Sequence, residues 1–305
     1  YNAPSIKNYG FDEYLSTYES PDPDPAITAS KWIWCDNDSV KRWKRTEYFV
    51  DKSIDFIKRH KDSPFFLNLW PDDMHTPWVP EFKQKERKSW ETKEAFSLVL
   101  GEMDKQIGRF IKALDDMGLS ENTIIIFTSD NGPAPSFKAV RSAYLRGTKN
   151  SLYEGGIRIP FIARWPGHIP AGEVNDHICA FYDLMPTFCE VIGIKDYEKK
   201  YRNKEKEVDY FDGISFAPTL LGNKKQKKHD FLYWEFDETD QIAVRMDDWK
   251  MVVKKGTPFL YNLKTDIHED HDITLQHPDI VEKMKAIIFE QHTPNPHFSV
   301  TLPKR

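Results

Sequence analysis

Cysteine is scarce, with Cys35, Cys179 and Cys189 the only three in 305 residues. Three thiols cannot build a disulfide framework, and none stands in a C-x-x-C pair, so the common zinc and thioredoxin-type sites are not supported. All three read as buried or half-buried thiols, because free cysteine packs as a small hydrophobe. Long apolar runs are also lacking. The longest, residues 65–67 with Leu69 and Trp70 and residues 124–127, fall far short of the roughly 18 residues that a membrane-crossing helix needs. There is no basic excess either. Lys and Arg number 43 against 48 Asp and Glu, the net charge is −5, and the basic residues are scattered, which argues against a nucleic-acid partner. Glycine and proline, at 14 and 20, are too few and too aperiodic for a collagen-like or low-complexity chain. No initiator Met and no signal peptide open the sequence, so the chain is not expected to begin where its gene begins. Aromatic residues, by contrast, are plentiful. Twenty Phe, 13 Tyr and 9 Trp allow a substantial core.

Residues 1–45 show no sustained apolar period, and prolines alternate with acidic residues at 21–25. A helix is expected from Thr46, whose hydroxyl suits a cap, to about residue 60, with Phe49, Val50, Ile54 and Ile57 on one face. Pro64 ends it. Residues 65–70 then read as a short strand covered on both faces, as in parallel sheets. The clearest helix spans about 93–117, where apolar residues recur at three- and four-residue steps until Gly118 supplies a left-handed stop. A β-branched strand follows at 123–128. Strand, helix and strand in this order indicate an α/β sheet. A further strand is read at 159–165 and a helix at 182–192, and the lysine-rich stretch 198–207 reads as a solvated excursion. From residue 231 the texture changes to short strands at hairpin spacing, 231–236, 241–246, 249–254 and 259–262, closed by a helix at 278–292. Two parts are therefore expected, a large α/β portion over 1–225 and a small antiparallel sheet with one helix over 226–305.

Three loops carry chemically useful side chains. Ser129-Asp130-Asn131-Gly132 ends a buried strand, the place where open α/β sheets bind ligands. The oxygens of Asp130 and Asn131 suit Ca²⁺ or Mg²⁺, and the same tetrapeptide also suits a plain Asx turn. His75 follows the other strand, placed to act as an acid, a base or an anion contact, or as a loop histidine with a structural hydrogen bond. Lys149 lies between Gly147 and the pair Gly155-Gly156, a pattern that suits anion binding and lacks the spacing of a Walker A loop.

Taken together the blocks carry more. F-F-L-x-L with H-T-P, E-M-D-x-x-I-G-R, T-I-I-I-F-T-S-D-N-G and L-R-G-x-K-x-x-x-Y-E-G-G-I-R-I-P, in that order, resemble the sulfatase family. The similarity runs from the G-F-D-E-Y segment at Gly10 through Asp183-Leu184-Met185-Pro186-Thr187 and Asp212-Gly213. It continues through Ala243-Val244-Arg245, Trp249-Lys250 and the L-Y-N-L segment at residue 260. The resemblance implies an alkaline-phosphatase-like α/β sandwich with a small C-terminal antiparallel sheet, and hydrolysis of a sulfate ester on a carbohydrate or aryl group. It also implies roles. Asp130 and Asn131 match the metal pair, usually for Ca²⁺ with Mg²⁺ as the other candidate. His75 matches the contact to the sulfate and the leaving oxygen, and Lys149 a second sulfate contact. Glu154, Gly155, Gly156 and Arg158 match a structural turn behind that lysine. The implied partner is a sulfated small molecule or glycan, and the family favours a periplasmic, secreted or lysosomal setting.

One part of the family pattern is absent. The reaction uses a formylglycine nucleophile made within C/S-x-P-x-R, and no such motif occurs here, nor do the paired aspartates that complete the metal site or the K-x-H motif. The 305 residues are accordingly expected to be the C-terminal portion of a larger domain, to bind a divalent cation weakly, to give no turnover alone, and to expose apolar strand faces or unpaired edges. The other readings are a phosphate or phosphonate monoester hydrolase of the same superfamily and a non-catalytic carbohydrate-binding chain. Trp70, Asp72, Asp73, Trp78 and Arg146 are candidates for a sugar subsite or for ordinary packing. The N-x-S sequon at Asn37 is a weak mark of export.

Overall fold

The apolar period of the first long helix produces α1, Arg45–His60, which buries Phe49, Val50 and Ile57. Thr46 does not cap it. Its hydroxyl donates to the buried Asp73 carboxylate, and the turn before α1 carries no side-chain cap. α2, Lys93–Asp116, is capped by Thr92, whose side chain accepts from the Ala95 N–H at 3.2 Å. It buries Ala95, Val99, Met103 and Leu114, and packs against α1, with Arg109 reaching Asp51 and the Glu47 carbonyl. The helix ends where expected, with Gly118 at φ 70°.

The computed structural model describes residues 4–17, 22–28, 38–81, 90–197, 212–223 and 225–304. The lysine-rich stretch 198–207, Cys35 and the Asn37 sequon lie outside the described residues. The chain forms two units, Tyr1–Asn122 and Thr123–Arg305. α1 and α2 belong to the first.

Residues 65–70 differ from the sequence expectation. They join no ladder among the described residues, and half-buried Phe65, Leu67 and Leu69 alternate with Phe66 (61% exposed) and Trp70 (82% exposed). Period-2 exposure marks an extended segment covered on one face only, which a nearly continuous apolar sequence does not distinguish from full cover.

In the second unit β1, Ile125–Thr128, pairs antiparallel with β2, Phe161–Arg164, in a two-stranded sheet rather than a parallel one. Phe127 (38%) and Ile162 (59%) remain exposed. Between these strands lies a single turn of helix, α3, Glu154–Ile157. α4, Leu184–Val191, follows Asp183, a buried carboxylate that accepts from the Ala180 and Ile214 amides at 2.7 and 2.8 Å and from His229 at 2.8 Å. Free Cys189 is buried in α4 and free Cys179 half-buried before it.

The C-terminal sheet is a meander of β3 (Leu232–Phe236), β4 (Gln241–Met246), β5 (Trp249–Lys254) and β6 (Thr257–Asn262), paired in sequence order. A two-residue turn joins β5 to β6, with Lys255 and Gly256 both left-handed (φ 49° and 75°), the twist that two-residue hairpins favour. One face packs Ile242, Val244, Met251, Val253 and Leu260 onto the closing helix α5, Pro278–Gln291, through Val281, Met284 and Ile288. The opposite face packs Ala243, Val252 and Tyr261 against Leu152 and Tyr153. The loop that ends in α3 is thus seated on the sheet.

Candidate functional site

The chain leaves β1 into Ser129–Gly132, where the turn satisfies its own polar groups. The Ser129 hydroxyl donates to the Asn131 carbonyl at 2.9 Å, and the Asn131 amide nitrogen donates to the Gly132 carbonyl at 2.8 Å. That second bond fixes the amide and leaves Asn131 Oδ1 as the acceptor. Asp130 is exposed and Asn131 half-buried. Three backbone bonds then lace the loops together: Gly132 N–H to the Gly156 carbonyl at 2.8 Å, Lys149 N–H to the Pro133 carbonyl at 2.8 Å, and Gly155 N–H to the Arg146 carbonyl at 2.7 Å. The approach is too close for side chains. A Cβ on Gly132 would sit 2.0 Å from the Gly155 oxygen, and one on Gly156 2.0 Å from the Ser151 oxygen. The glycines of D-N-G and E-G-G therefore bring the loop that carries Lys149 against the turn that follows Asp130 and Asn131.

A buried ion cluster holds this arrangement from behind. Glu154, first in α3, meets Lys250 of β5 at 2.8 Å, with Arg158 at 3.4 Å and Arg245 at 3.6 Å. Lys250 also meets Glu269 at 3.1 Å, and Glu269 accepts from the Glu154 amide at 2.7 Å. Burial raises the Glu154 carboxyl, but Lys250, Arg245 and Arg158 outweigh it and hold it below the usual carboxylate range. At Glu269 burial prevails over Lys250 and the pKa is raised. Gln241 of β4 accepts from the Leu152 amide at 3.0 Å. Arg146 turns inward, its guanidinium 4.3 Å from the Tyr153 ring centre and bonded to the Tyr261 hydroxyl and the Glu269 carbonyl. Its charge is engaged in structure.

His75 belongs to the first unit. It is exposed, with Nδ1 2.9 Å from its neighbour Thr76's carbonyl. A carbonyl only accepts, so Nδ1 carries the proton in this contact. Its backbone is clamped by Arg42, which donates to the His75 carbonyl at 2.9 Å and to Asp72, the carboxylate that Arg45 also meets at 2.7 Å. Asp73 is buried under α1, which pushes its pKa up to about 6 despite the Thr46 hydrogen bond. Trp78 is fully buried, donating to the Met74 carbonyl at 3.0 Å and packed edge-on against Phe96. Of the sugar-subsite candidates, Asp72, Asp73, Trp78 and Arg146 are thus engaged in packing or ion pairs, whereas Trp70 is exposed.

As a metal site the donor set is incomplete. Asp130 and Asn131 offer one carboxylate and one amide oxygen where Ca²⁺ takes six to eight oxygens, and among the described residues no group of three His, Cys, Asp or Glu side chains gathers to hold an ion. The described residues do not by themselves fit Ca²⁺ or Mg²⁺.

The "Sulfatase" family model matches residues 2–194 of this sequence. The chain belongs to the sulfatase family. A second model, "N-sulphoglucosamine sulphohydrolase, C-terminal", matches residues 147–293. Among characterised proteins the chain is similar to an N-acetylgalactosamine-6-O-sulfatase of Bacteroides thetaiotaomicron, at 26% identity over 283 residues, 84% of this chain and 51% of that protein. It is similar to human arylsulfatase A at 32% over 198 residues, 63% of this chain and 36% of that protein. The crystal structure of Ps i-CgsB in complex with k-i-k-neocarrahexaose aligns with TM-score 0.65 at 26% identity, covering 80% of this chain and 54% of that one. The fold is the alkaline-phosphatase-like α/β type of these sulfatases. The chain spans about half the length, or less, of the relatives it matches.

Sequence reasoning missed the roles of Lys250, Glu269 and Gln241. A signal existed for the first, since a lysine inside the apolar run 249–253 must find a buried countercharge. Glu269 and Gln241 show none.

Proposed function

We propose that this chain carries the sulfate-binding and leaving-group side of a sulfatase site acting on a sulfated carbohydrate. The observation that carries the proposal is the lacing of the Lys149 loop to the Asp130–Asn131 loop through glycines that admit no side chain. Hydrolysis breaks the S–O bond of the ester, and charge builds on the departing oxygen. Lys149 would hold the sulfate oxygens with a preorganised positive charge, usually the largest catalytic contribution. By resemblance to the family, His75 would give the leaving oxygen its proton, worth about 10²- to 10⁴-fold for a poor leaving group such as a sugar alkoxide. Asp130 and Asn131 would supply two oxygens toward a Ca²⁺ shell, with Mg²⁺ the second candidate. The glycan class rests on relatives named for N-acetylgalactosamine sulfatase activity and on the neocarrahexaose complex.

No residue of this chain stands in the C/S-x-P-x-R context from which the nucleophile is made. The expected outcome is that purified, mass-verified chain gives no multiple turnovers of an aryl sulfate, nor of the matching phosphate ester. Repeated turnover of the sulfate would refute the assignment of the nucleophile outside these residues, and selective turnover of the phosphate would favour a phosphomonoesterase. Calorimetric titration with Ca²⁺ should give no sub-micromolar site. A tight isotherm would show that further ligands exist within the chain.

A further inference from the structure

A surface cleft of about 390 Å³ opens in the second unit between residues 139–148 and residues 268–270. It begins one residue before Lys149, with Gly147 and Thr148 in its wall. Its rim is built at a conformational cost. Ala143 and Tyr144 are both left-handed (φ 54° and 65°), a strain that non-glycine residues accept only when the surroundings impose it. The Tyr144 amide donates to the Ala139 carbonyl at 2.8 Å, and His268 Nδ1 donates to the Tyr144 carbonyl at 3.0 Å. The outcome is a tyrosine held 67% exposed. The lining also holds the exposed Asp270 carboxylate and His268, whose Nδ1 bond leaves Nε2 as its second polar atom.

We infer that this cleft is a binding subsite for a neutral sugar ring, next to the sulfated unit that Lys149 would hold. An aromatic face with a few directed polar groups is the usual make-up of a small-ligand site. The apolar face of a pyranose suits the Tyr144 ring, and its hydroxyls suit the carboxylate acceptor of Asp270 and His268 Nε2. The charge at Asp270 disfavours a second sulfate or a uronate there. The placement next to Lys149 rests on the proposed function, whereas the cleft's own affinity for a sugar does not.

The test is a calorimetric titration of three probes into the wild-type chain and into folded Tyr144→Ala, Asp270→Asn and Lys149→Ala variants. The probes are a 6-sulfated N-acetylhexosamine, a disaccharide joining it to a neutral sugar, and the unsulfated disaccharide. The disaccharide should bind about fivefold or more tighter than the sulfated monosaccharide, the gain expected from one or two added polar contacts. Tyr144→Ala and Asp270→Asn should each erase that gain and leave the monosaccharide unaffected. A gain that survives both substitutions, or the absence of any gain together with no Tyr144-dependent binding of the unsulfated disaccharide, overturns the subsite. Monosaccharide binding that ignores Lys149→Ala would overturn the proposed function instead. Tyr144-dependent binding of the unsulfated disaccharide would then still uphold the subsite.

Discussion

At the residue scale the two acidic neighbours before His75 have opposite situations. Asp72 is half-exposed and paired with Arg42 and Arg45, whereas Asp73 is buried with a single hydroxyl donor. Burial pushes Asp73 up to about 6, above the roughly 3.9 of an unfolded aspartate. The folded chain therefore holds a proton there that the unfolded chain releases between about pH 4 and 6. This group's contribution to stability is complete below about pH 4 and is lost as pH rises through about 6. The amount is on the order of 2–3 kcal/mol. Asp73→Asn should remove that portion of the slope. Urea midpoints measured from pH 4 to 7 should fall for the wild type relative to the variant, and parallel curves would contradict the assignment. Thr46 gives the sequence lesson at this scale. A threonine at a helix start reads as a cap, yet its hydroxyl serves a carboxylate 27 residues away, and nothing local announces that.

At the scale of elements, what the sequence made legible follows its periodicity. α2, the strands of the meander and α5 lie within a few residues of their expected bounds, because each has a face whose apolar period is intact. β1 and β2 lie within the expected strands, but they and residues 65–70 are less covered than expected, since apolar content alone does not tell cover on two faces from cover on one. The glycine pattern of E-G-G was readable as a tight turn, but the partner strand behind it was not. β5 is that partner through Lys250, which is fully buried between Glu154 and Glu269. Lys250→Ala takes the cation from buried Glu269 and leaves Glu154 only its longer contacts to Arg158 and Arg245, and should cost about 3–5 kcal/mol in urea unfolding, the usual result of breaking a buried pair from one side. A loss under about 1 kcal/mol would mean that the cluster does not tie α3 to the sheet.

At the scale of the whole molecule, the order of the motifs carried the family where no single motif did. Asp130-Asn131-Gly132 alone is a common turn, and Gly155-Gly156 alone is a common bend. Together they dock backbone on backbone at distances that exclude any Cβ. That geometry joins two weak signals into one laced pair of loops. The chain nevertheless spans only about half the length of the relatives it matches, and no C/S-x-P-x-R sequence occurs in it. The most direct measurement is calorimetric titration of a 6-sulfated sugar into the folded wild type and Lys149→Ala. Saturable binding by the wild type is expected, weakened about tenfold or more by the substitution, the effect of losing one charge-assisted contact. Equal affinity in the two proteins would contradict it.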